Sequence, residues 1–125
     1  MTVAALLSGK RVLVTGGARG LGQAFAAGAC AAGARVVVAD ILEDAGRATV
    51  AALRQDGHEA EFQPVDLADP AQIARAVGAA AEWLGGLDGL VNCGAIATGI
   101  GGKGFEEIDI ETWDRVMTVN VLALG

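Results

Sequence analysis

Hydrophobic and polar positions divide the chain into short apolar runs and longer stretches with helical spacing. The apolar runs RVLVT at residues 11–15 and RVVVAD at residues 35–40 consist almost wholly of β-branched and other apolar residues. Such runs predict strands that are buried on both faces. Residues 60–65 and 87–92 predict two further strands. We therefore expect four strands.

Helical spacing predicts the elements that follow these strands. Four such segments cover residues 21–33, 43–56, 70–84 and 111–125. Asp69 is a suitable N-cap for the third helix, and Pro70 is tolerated in its first turn. The apolar stripe of this third helix is predicted to comprise Ile73, Val77, Ala80, Ala81 and Leu84.

Regular alternation of strand and helix predicts an α/β fold with a Rossmann-like, doubly wound parallel sheet. Right-handed crossovers give the strand order 3-2-1-4. This order reverses between the first and fourth strands, and a ligand crevice is expected at the carboxyl ends of those strands. The sequence has no internal repeat and no linker rich in proline or serine, so we interpret residues 1–125 as a single domain.

Composition narrows the classes of function. The chain has 15 acidic and 9 basic residues and a formal net charge of −6, which argues against binding to a nucleic-acid backbone. No apolar stretch approaches the ~18 residues of a membrane helix, and no basic region marks a secretory signal. Cys30 and Cys93 lie far apart without a histidine partner, so no metal site is expected. We expect a cytoplasmic protein with no membrane partner.

The segment TGGARGLG at residues 15–22 carries the densest candidate chemistry, between the first strand and the first helix. Gly16 allows a tight turn, Gly20 lets a pyrophosphate approach the backbone, and Gly22 lets the helix pack close to the sheet. Free N–H groups of the first helical turn would then face the anion. Because a strand precedes these glycines and a helix follows them, the segment predicts a dinucleotide-binding turn. A purely structural turn is the alternative.

Asp40 ends the second strand, close to the ~20 residues after the glycine turn at which a ribose-binding acid is expected. Its carboxylate would accept hydrogen bonds from the ribose hydroxyls and repel a 2′-phosphate. The guanidinium of Arg19 could instead hold that phosphate. No basic residue follows Asp40 before Arg47, so the sequence favours NAD over NADP. The alternative is an ordinary Asp that caps a helix.

Four motifs, in this order, resemble those of the short-chain dehydrogenase/reductase family. They are the glycine spacing TGxxxGxG, the pair Asp66-Leu67 after the third strand, VNCGA at residues 91–95, and WDRVMTVN at residues 113–120. The third motif resembles the family's NNAG element, with Cys93 where the second Asn usually stands. The resemblance runs from about residue 10 to the last residue and covers nearly the whole chain.

The resemblance implies roles for individual residues. Asp66 would bind the adenine amino group, and Asn120 would be a catalytic residue that orders a water in a proton relay. Asn120 also falls on the buried stripe of the last predicted helix, so a core amide with satisfied partners is a compatible interpretation. Together with the glycine turn, the expected cofactor-binding residues are Gly16, Arg19, Gly20, Leu21, Gly22, Asp40, Ile41, Asp66, Leu67, Asn92, Gly94 and Val119.

Members of this family exchange hydride between a nicotinamide and an alcohol or carbonyl group, using a Tyr, a Lys and a Ser that follow the Asn helix. These 125 residues contain no tyrosine. We therefore expect the amino-terminal, NAD-binding part of a dehydrogenase, with the carboxy-terminal half absent. The whole protein is expected to act on a small alcohol or ketone and to form a homo-oligomer. The alternatives are a non-catalytic NAD-binding module, one piece of a split protein and, ranked last, a methyltransferase that uses S-adenosylmethionine.

Overall fold

A computed structural model describes residues 6–94 and, in a further helical segment, residues 111, 115 and 117. Strand and helix alternate through residues 6–94 as β1 (Arg11–Thr15), α1 (Gly20–Ala31), β2 (Arg35–Asp40), α2 (Glu43–Gln55), β3 (Ala60–Pro64), α3 (Pro70–Leu84) and β4 (Gly89–Asn92). No helix in this described part has the length and apolar character needed to cross a membrane.

All four strands are parallel and form one sheet in the order β3-β2-β1-β4. Val14 of β1 pairs with Val38 of β2 on one side and with Val91 of β4 on the other. On the far side of β2, Val38 pairs with Phe62 of β3. The predicted α/β fold and strand order are confirmed. The carboxyl ends of the four strands therefore lie at one edge of the sheet.

Helices cover both faces of the sheet, and each face has its own apolar core. Side chains alternate along β1, so Val12 and Val14 lie in one core and Leu13 lies in the other. The first core is closed by α1 and α2 and contains Ala26, Cys30, Val50 and Leu53. The second is closed by α3 and contains Ala76, Ala80 and Leu84. Strands β1 and β2 are buried on both faces, as their uninterrupted apolar sequences predict, whereas Leu90 of β4 is 55% exposed.

Both ends of α3 are fixed in place by side chains. Asp69 accepts a hydrogen bond from a backbone N–H of the first turn at 3.0 Å, and Pro70 follows it, as predicted. At the other end, Gly85 adopts a left-handed conformation with a φ of 81°. Arg35 donates to the carbonyl oxygen of Leu84 at 2.9 Å. Because Arg35 opens β2, this bond ties the end of α3 to the start of a central strand.

Some predicted boundaries differ from the observed ones. Helix α1 spans residues 20–31 rather than 21–33, because Gly33 takes a positive φ of 98° and the chain leaves the helix before it. Strand β4 begins at residue 89 rather than 87, because the Asp88 side chain turns to bind Arg11. Helix α2 and strand β3 each end one residue earlier than predicted. These shifts lie at element ends, where regular hydrogen bonding fades.

The predicted apolar stripe of α3 is wrong at Val77, and its member Ala81 is only half-buried. Val77 is 40% exposed, whereas Ala76, one residue earlier, is 5% exposed and lies in the core. Ala80 and Leu84 are buried as predicted, and Ile73 packs at the edge of the same core. The positions that pack on the core are 73, 76, 80 and 84, so the face of α3 that packs on the sheet is rotated slightly from the predicted one.

Candidate functional site

Predicted site residues in the described part of the chain gather at the carboxyl edge of the sheet. The glycine turn follows β1, Asp40 ends β2, and Asp66 lies after β3. A Cβ on Gly16 would lie 2.6 Å from the backbone of Cys93, so the turn after β1 touches the loop after β4. This contact occurs where the strand order reverses and where the crevice was predicted.

The glycine turn is closely packed on one side and open on the other. Gly16 has a φ of 69°, and its N–H donates to the carbonyl oxygen of Ala39 at 2.8 Å. A Cβ on Gly22 would collide with the carbonyl oxygen of Gly16 and would lie 3.1 Å from Cys93 Cβ. The close approach at Gly22 is therefore to the turn and to the loop after β4. At Gly20, by contrast, no non-adjacent residue of the described part lies within 4 Å of the position that a Cβ would take.

Asp40 holds backbone groups with both of its carboxylate oxygens. Oδ2 accepts a hydrogen bond from the N–H of Ala18 at 3.0 Å, and Oδ1 accepts one from the N–H of Leu42 at 3.0 Å. The side chain thus ties the end of β2 to the glycine turn. The N-cap position of α2 is Leu42, which makes no side-chain cap, so Asp40 is not an ordinary helix cap. Asp40 is half-buried, and each oxygen keeps a lone pair for a further donor.

Sequence reasoning missed Thr49, which contacts the same turn from α2. Thr49 is 5% exposed and is the one buried polar side chain among the described residues. Its Oγ1 donates to the carbonyl oxygen of Ala18 at 3.0 Å and accepts a hydrogen bond from Gln23 Nε2 at 3.3 Å. The sequence did contain a signal for this contact. Thr49 is the polar residue on the buried face of α2, and a buried polar group needs a hydrogen-bond partner. The buried residues of α2 are Gly46, Thr49, Val50 and Leu53.

Asp66 connects the loop after β3 to the helical segment that contains Arg115. Asp66 Oδ1 accepts a hydrogen bond from the N–H of Ala68 at 3.0 Å and lies 3.5 Å from Arg115 Nη2. Sequence reasoning did not single out Arg115. The neighbouring Leu67 side chain fills the space that a Cβ on Gly94 would occupy. The loops after β3 and β4 are therefore in contact, as the loops after β1 and β4 are.

Several predicted binding residues point toward solvent. The exposed ones are Arg19, Gly20, Leu21, Ile41 and Asn92. Arg19 occupies the N-cap position of α1 without a side-chain cap, and the first turn of α1 contains no acidic residue. The amino end of α1 is therefore open and carries no negative side chain. Asn120 and Val119 lie outside the described residues.

The two cysteines occupy different environments. Cys30 is buried in the core between α1 and the sheet, and this burial raises the pKa of its thiol to about 11. Cys93 is half-buried beside the glycine turn, and both thiols are free. Within the described residues, no three His, Cys, Asp or Glu side chains converge as metal ligands would.

Comparison with known proteins identifies relatives along nearly the whole chain. A profile of the family described as short chain dehydrogenase matches residues 10–124. The 2,5-dichloro-2,5-cyclohexadiene-1,4-diol dehydrogenase LinX of Sphingobium indicum is 42% identical over 118 residues, which are 94% of this chain and 46% of that protein. A 3-alpha-(or 20-beta)-hydroxysteroid dehydrogenase of Mycobacterium tuberculosis is 39% identical over 115 residues, which are 92% of this chain and 42% of that protein.

Solved structures of short chain dehydrogenases also resemble this chain. A short chain dehydrogenase from Burkholderia cenocepacia J2315, determined in complex with NADP, superposes with a TM-score of 0.87 at 37% identity. The match covers 95% of this chain and 48% of that protein. This chain spans about half the length of the curated relatives that it matches.

Proposed function

Because the chain belongs to the short chain dehydrogenase family, we propose that it supplies the cofactor-binding part of an NAD(H)-dependent oxidoreductase. The whole protein would exchange hydride between the cofactor and an alcohol or carbonyl substrate. Its relatives include dehydrogenases of a cyclic diol and of a hydroxysteroid, which supports an alcohol substrate. The observation that carries the proposal is the position of Asp40, whose carboxylate is bonded to the glycine turn.

The amino end of α1 fits the phosphates of a dinucleotide. First-turn N–H groups of a helix have no intrahelical partners and attract anions. Gly20 leaves open space beside these groups, and no acidic side chain of the first turn opposes a phosphate. Arg19, exposed at the same place, adds positive charge. These features support a pyrophosphate site at the turn.

The choice between NAD and NADP depends on Asp40. Its carboxylate is held at the end of β2 by two backbone N–H groups, so its negative charge stays close to the turn. The carboxylate oxygens would accept hydrogen bonds from the ribose hydroxyls, and their negative charge would repel a 2′-phosphate. Arg19 and the NADP-bound relative favour the opposite choice. We propose NAD, because the Asp40 side chain is fixed by hydrogen bonds whereas Arg19 makes no capping bond.

The remaining residues complete the proposed site by resemblance. Asp66 would bind the adenine amino group, with Leu67, Asn92 and Gly94 around the cofactor. When bound, the nicotinamide would donate or accept the hydride. Asn120 would order a water that carries the proton to or from the substrate oxygen, and Val119 would lie next to the cofactor. Cytoplasmic location and a homo-oligomeric state remain predictions.

A variant of Asp40 tests the choice of cofactor. The single acceptor oxygen of Asn can serve one of the two N–H groups, so Asp40→Asn removes the charge and one backbone bond. Since hydrogen bonds to a charged group contribute ~1.5–3 kcal/mol, we expect NAD⁺ affinity to fall by about 10-fold to 150-fold. The preference over NADP⁺ should fall as well. Titration calorimetry with both cofactors measures this change.

Asp44→Asn is the matched control, because Asp44 is an exposed acid in the first turn of α2 and is not bonded to the glycine turn. It should leave both affinities unchanged. Tighter binding of NADP⁺ than of NAD⁺ by the wild-type protein would overturn the choice of NAD. Absence of binding to either cofactor would overturn the cofactor site itself.

A non-catalytic NAD-binding module is the second candidate. Incubation of the whole protein, not of these 125 residues alone, with NAD⁺ and a cyclic secondary alcohol distinguishes the two. Turnover supports the dehydrogenase, and NADH binding without turnover supports the module. Copurification with a second chain that restores turnover would identify one piece of a split enzyme.

A further inference from the structure

We propose that Thr49 is a positioning residue whose hydroxyl fixes the glycine turn in the orientation that receives the cofactor phosphates. The inference rests on the proposed function, since it assigns a role within the same cofactor site. It starts from Ala18, the residue of the turn whose two backbone polar groups are both bound by side chains.

Side chains from two different elements hold Ala18. Its N–H donates to Asp40 Oδ2 at 3.0 Å, from the end of β2. Its carbonyl oxygen accepts from Thr49 Oγ1 at 3.0 Å, from the middle of α2. Gln23 of α1 donates to the same Thr49 hydroxyl at 3.3 Å. The Thr49 hydroxyl therefore joins the turn, α1 and α2 at a single buried point.

Peptide geometry links this bond to the site. The C=O and N–H of a trans peptide point in opposite directions. While Thr49 holds the Ala18 carbonyl toward α2, the N–H of Arg19 points away from α2. Arg19 is exposed and directly precedes the first turn of α1. A rotated peptide would instead present a carbonyl oxygen at this place, and a carbonyl oxygen repels a phosphate.

Loss of the hydroxyl would leave the Ala18 carbonyl without its partner. Ala18 is buried, so water cannot readily replace the bond, and the peptide would turn to find another donor. Thr49→Val removes the hydroxyl while keeping the β-branched shape, and Thr49→Ser keeps the hydroxyl. Val50→Ala is the control, because Val50 is buried in the adjacent core and does not bond to the turn.

The experiment measures NADH binding by fluorescence titration of the full chain and its three variants, with thermal unfolding of each. We expect Thr49→Val to weaken NADH binding by about 5-fold to 150-fold, the range expected when a buried acceptor is left without its hydrogen-bond partner. Thr49→Ser should bind as wild type does. Val50→Ala should unfold at a lower temperature with an unchanged Kd for NADH, which separates positioning from stability.

Amide hydrogen exchange without cofactor gives a second readout. Thr49→Val should speed exchange across residues 17–20, and Thr49→Ser should not. Unchanged NADH affinity of a folded Thr49→Val protein would overturn this inference and leave the proposed function standing. A wild-type protein that fails to bind NADH would overturn both.

Discussion

Arg11, the first residue of β1, and Asp88, the residue before β4, are bonded to each other through both side chains and backbone. Asp88 Oδ2 lies 2.9 Å from Arg11 Nε and accepts the backbone N–H of Arg11 at 2.9 Å. In return, the backbone N–H of Asp88 donates to the carbonyl oxygen of Arg11 at 2.8 Å. These bonds fix the register in which β4 joins β1, at the end of the strands opposite the candidate site.

Acid should weaken the bond between Arg11 and Asp88. Hydrogen bonding from the Arg11 guanidinium lowers the pKa of Asp88 from 3.8 to about 2. A carboxyl with a lowered folded-state pKa stabilises the fold above its unfolded-state pKa, and this contribution is lost as pH falls through the folded value. The stability difference between wild type and Asp88→Asn should be constant above about pH 5 and shrink between about pH 4 and pH 2. Urea unfolding across this range measures the difference.

Arg11→Met provides the complementary variant, because it removes the partner and keeps the carboxylate. Its difference from wild type should shrink over the same pH window. If either difference is equally large at both ends of the window, the ion pair is not the source of the acid dependence.

Two glycines of α1 should respond oppositely to alanine. A Cβ at Gly22 collides with the Gly16 carbonyl oxygen, so Gly22→Ala should cost ~1–3 kcal/mol of stability, as overpacking does, and should weaken NADH binding. Gly28 has open space around it, so Gly28→Ala should stabilise the helix by ~0.5–1 kcal/mol. Chemical denaturation of both variants measures these changes. Equal destabilisation by both would show that the contact at Gly22 is unimportant.

The cysteines should differ in their reaction with iodoacetamide. Burial raises the pKa of Cys30 to about 11, so its thiol is protonated and shielded near neutral pH. Cys93 is half-buried, so its thiol is more open to the reagent than that of Cys30. Peptide mass spectrometry should find Cys93 modified in the native protein and Cys30 modified after denaturation. NADH should slow the reaction at Cys93, and faster modification of Cys30 would contradict the burial argument.

Substitutions in α3 test which face packs on the sheet. Val77 is largely outside the core, so Val77→Ala should change stability by less than ~0.5 kcal/mol. Ala76 is 5% exposed, so Ala76→Val should destabilise by ~1–3 kcal/mol through overpacking. Thermal unfolding of both variants measures the contrast. A larger loss from Val77→Ala would place the packed face where the sequence predicted it.

Much of the fold could be predicted because its signals are local. Continuous β-branched runs identify central parallel strands, and Asp69 with Pro70 marks the start of α3. The right-handed crossover rule then fixes the strand order and places the glycine turn and Asp40 at the same edge. Each of these predictions needed only local sequence patterns and the crossover rule.

Other features depend on how elements that are far apart in the chain pack against each other, and we did not predict them from the sequence. Val77 and Ala76 differ by one helical position, and the rotation of α3 about its own axis decides which is buried. The contact of Thr49 with Ala18 depends on the angle at which α2 approaches the turn. The ion pair between Asp66 and Arg115 likewise joins segments that are far apart in the chain.

The strand order also has a consequence for synthesis on the ribosome. Arg11 and Asp88 are 77 residues apart, so β1 is made long before the strand that completes its second side. At a translation rate of ~5–20 residues per second, this interval lasts about 4–15 s. During that time β1 can pair with β2, but the backbone N–H and C=O groups of its other edge have no partner from residues 6–94. Slower translation between β2 and β4 would prolong this exposure and favour aggregation of the nascent chain.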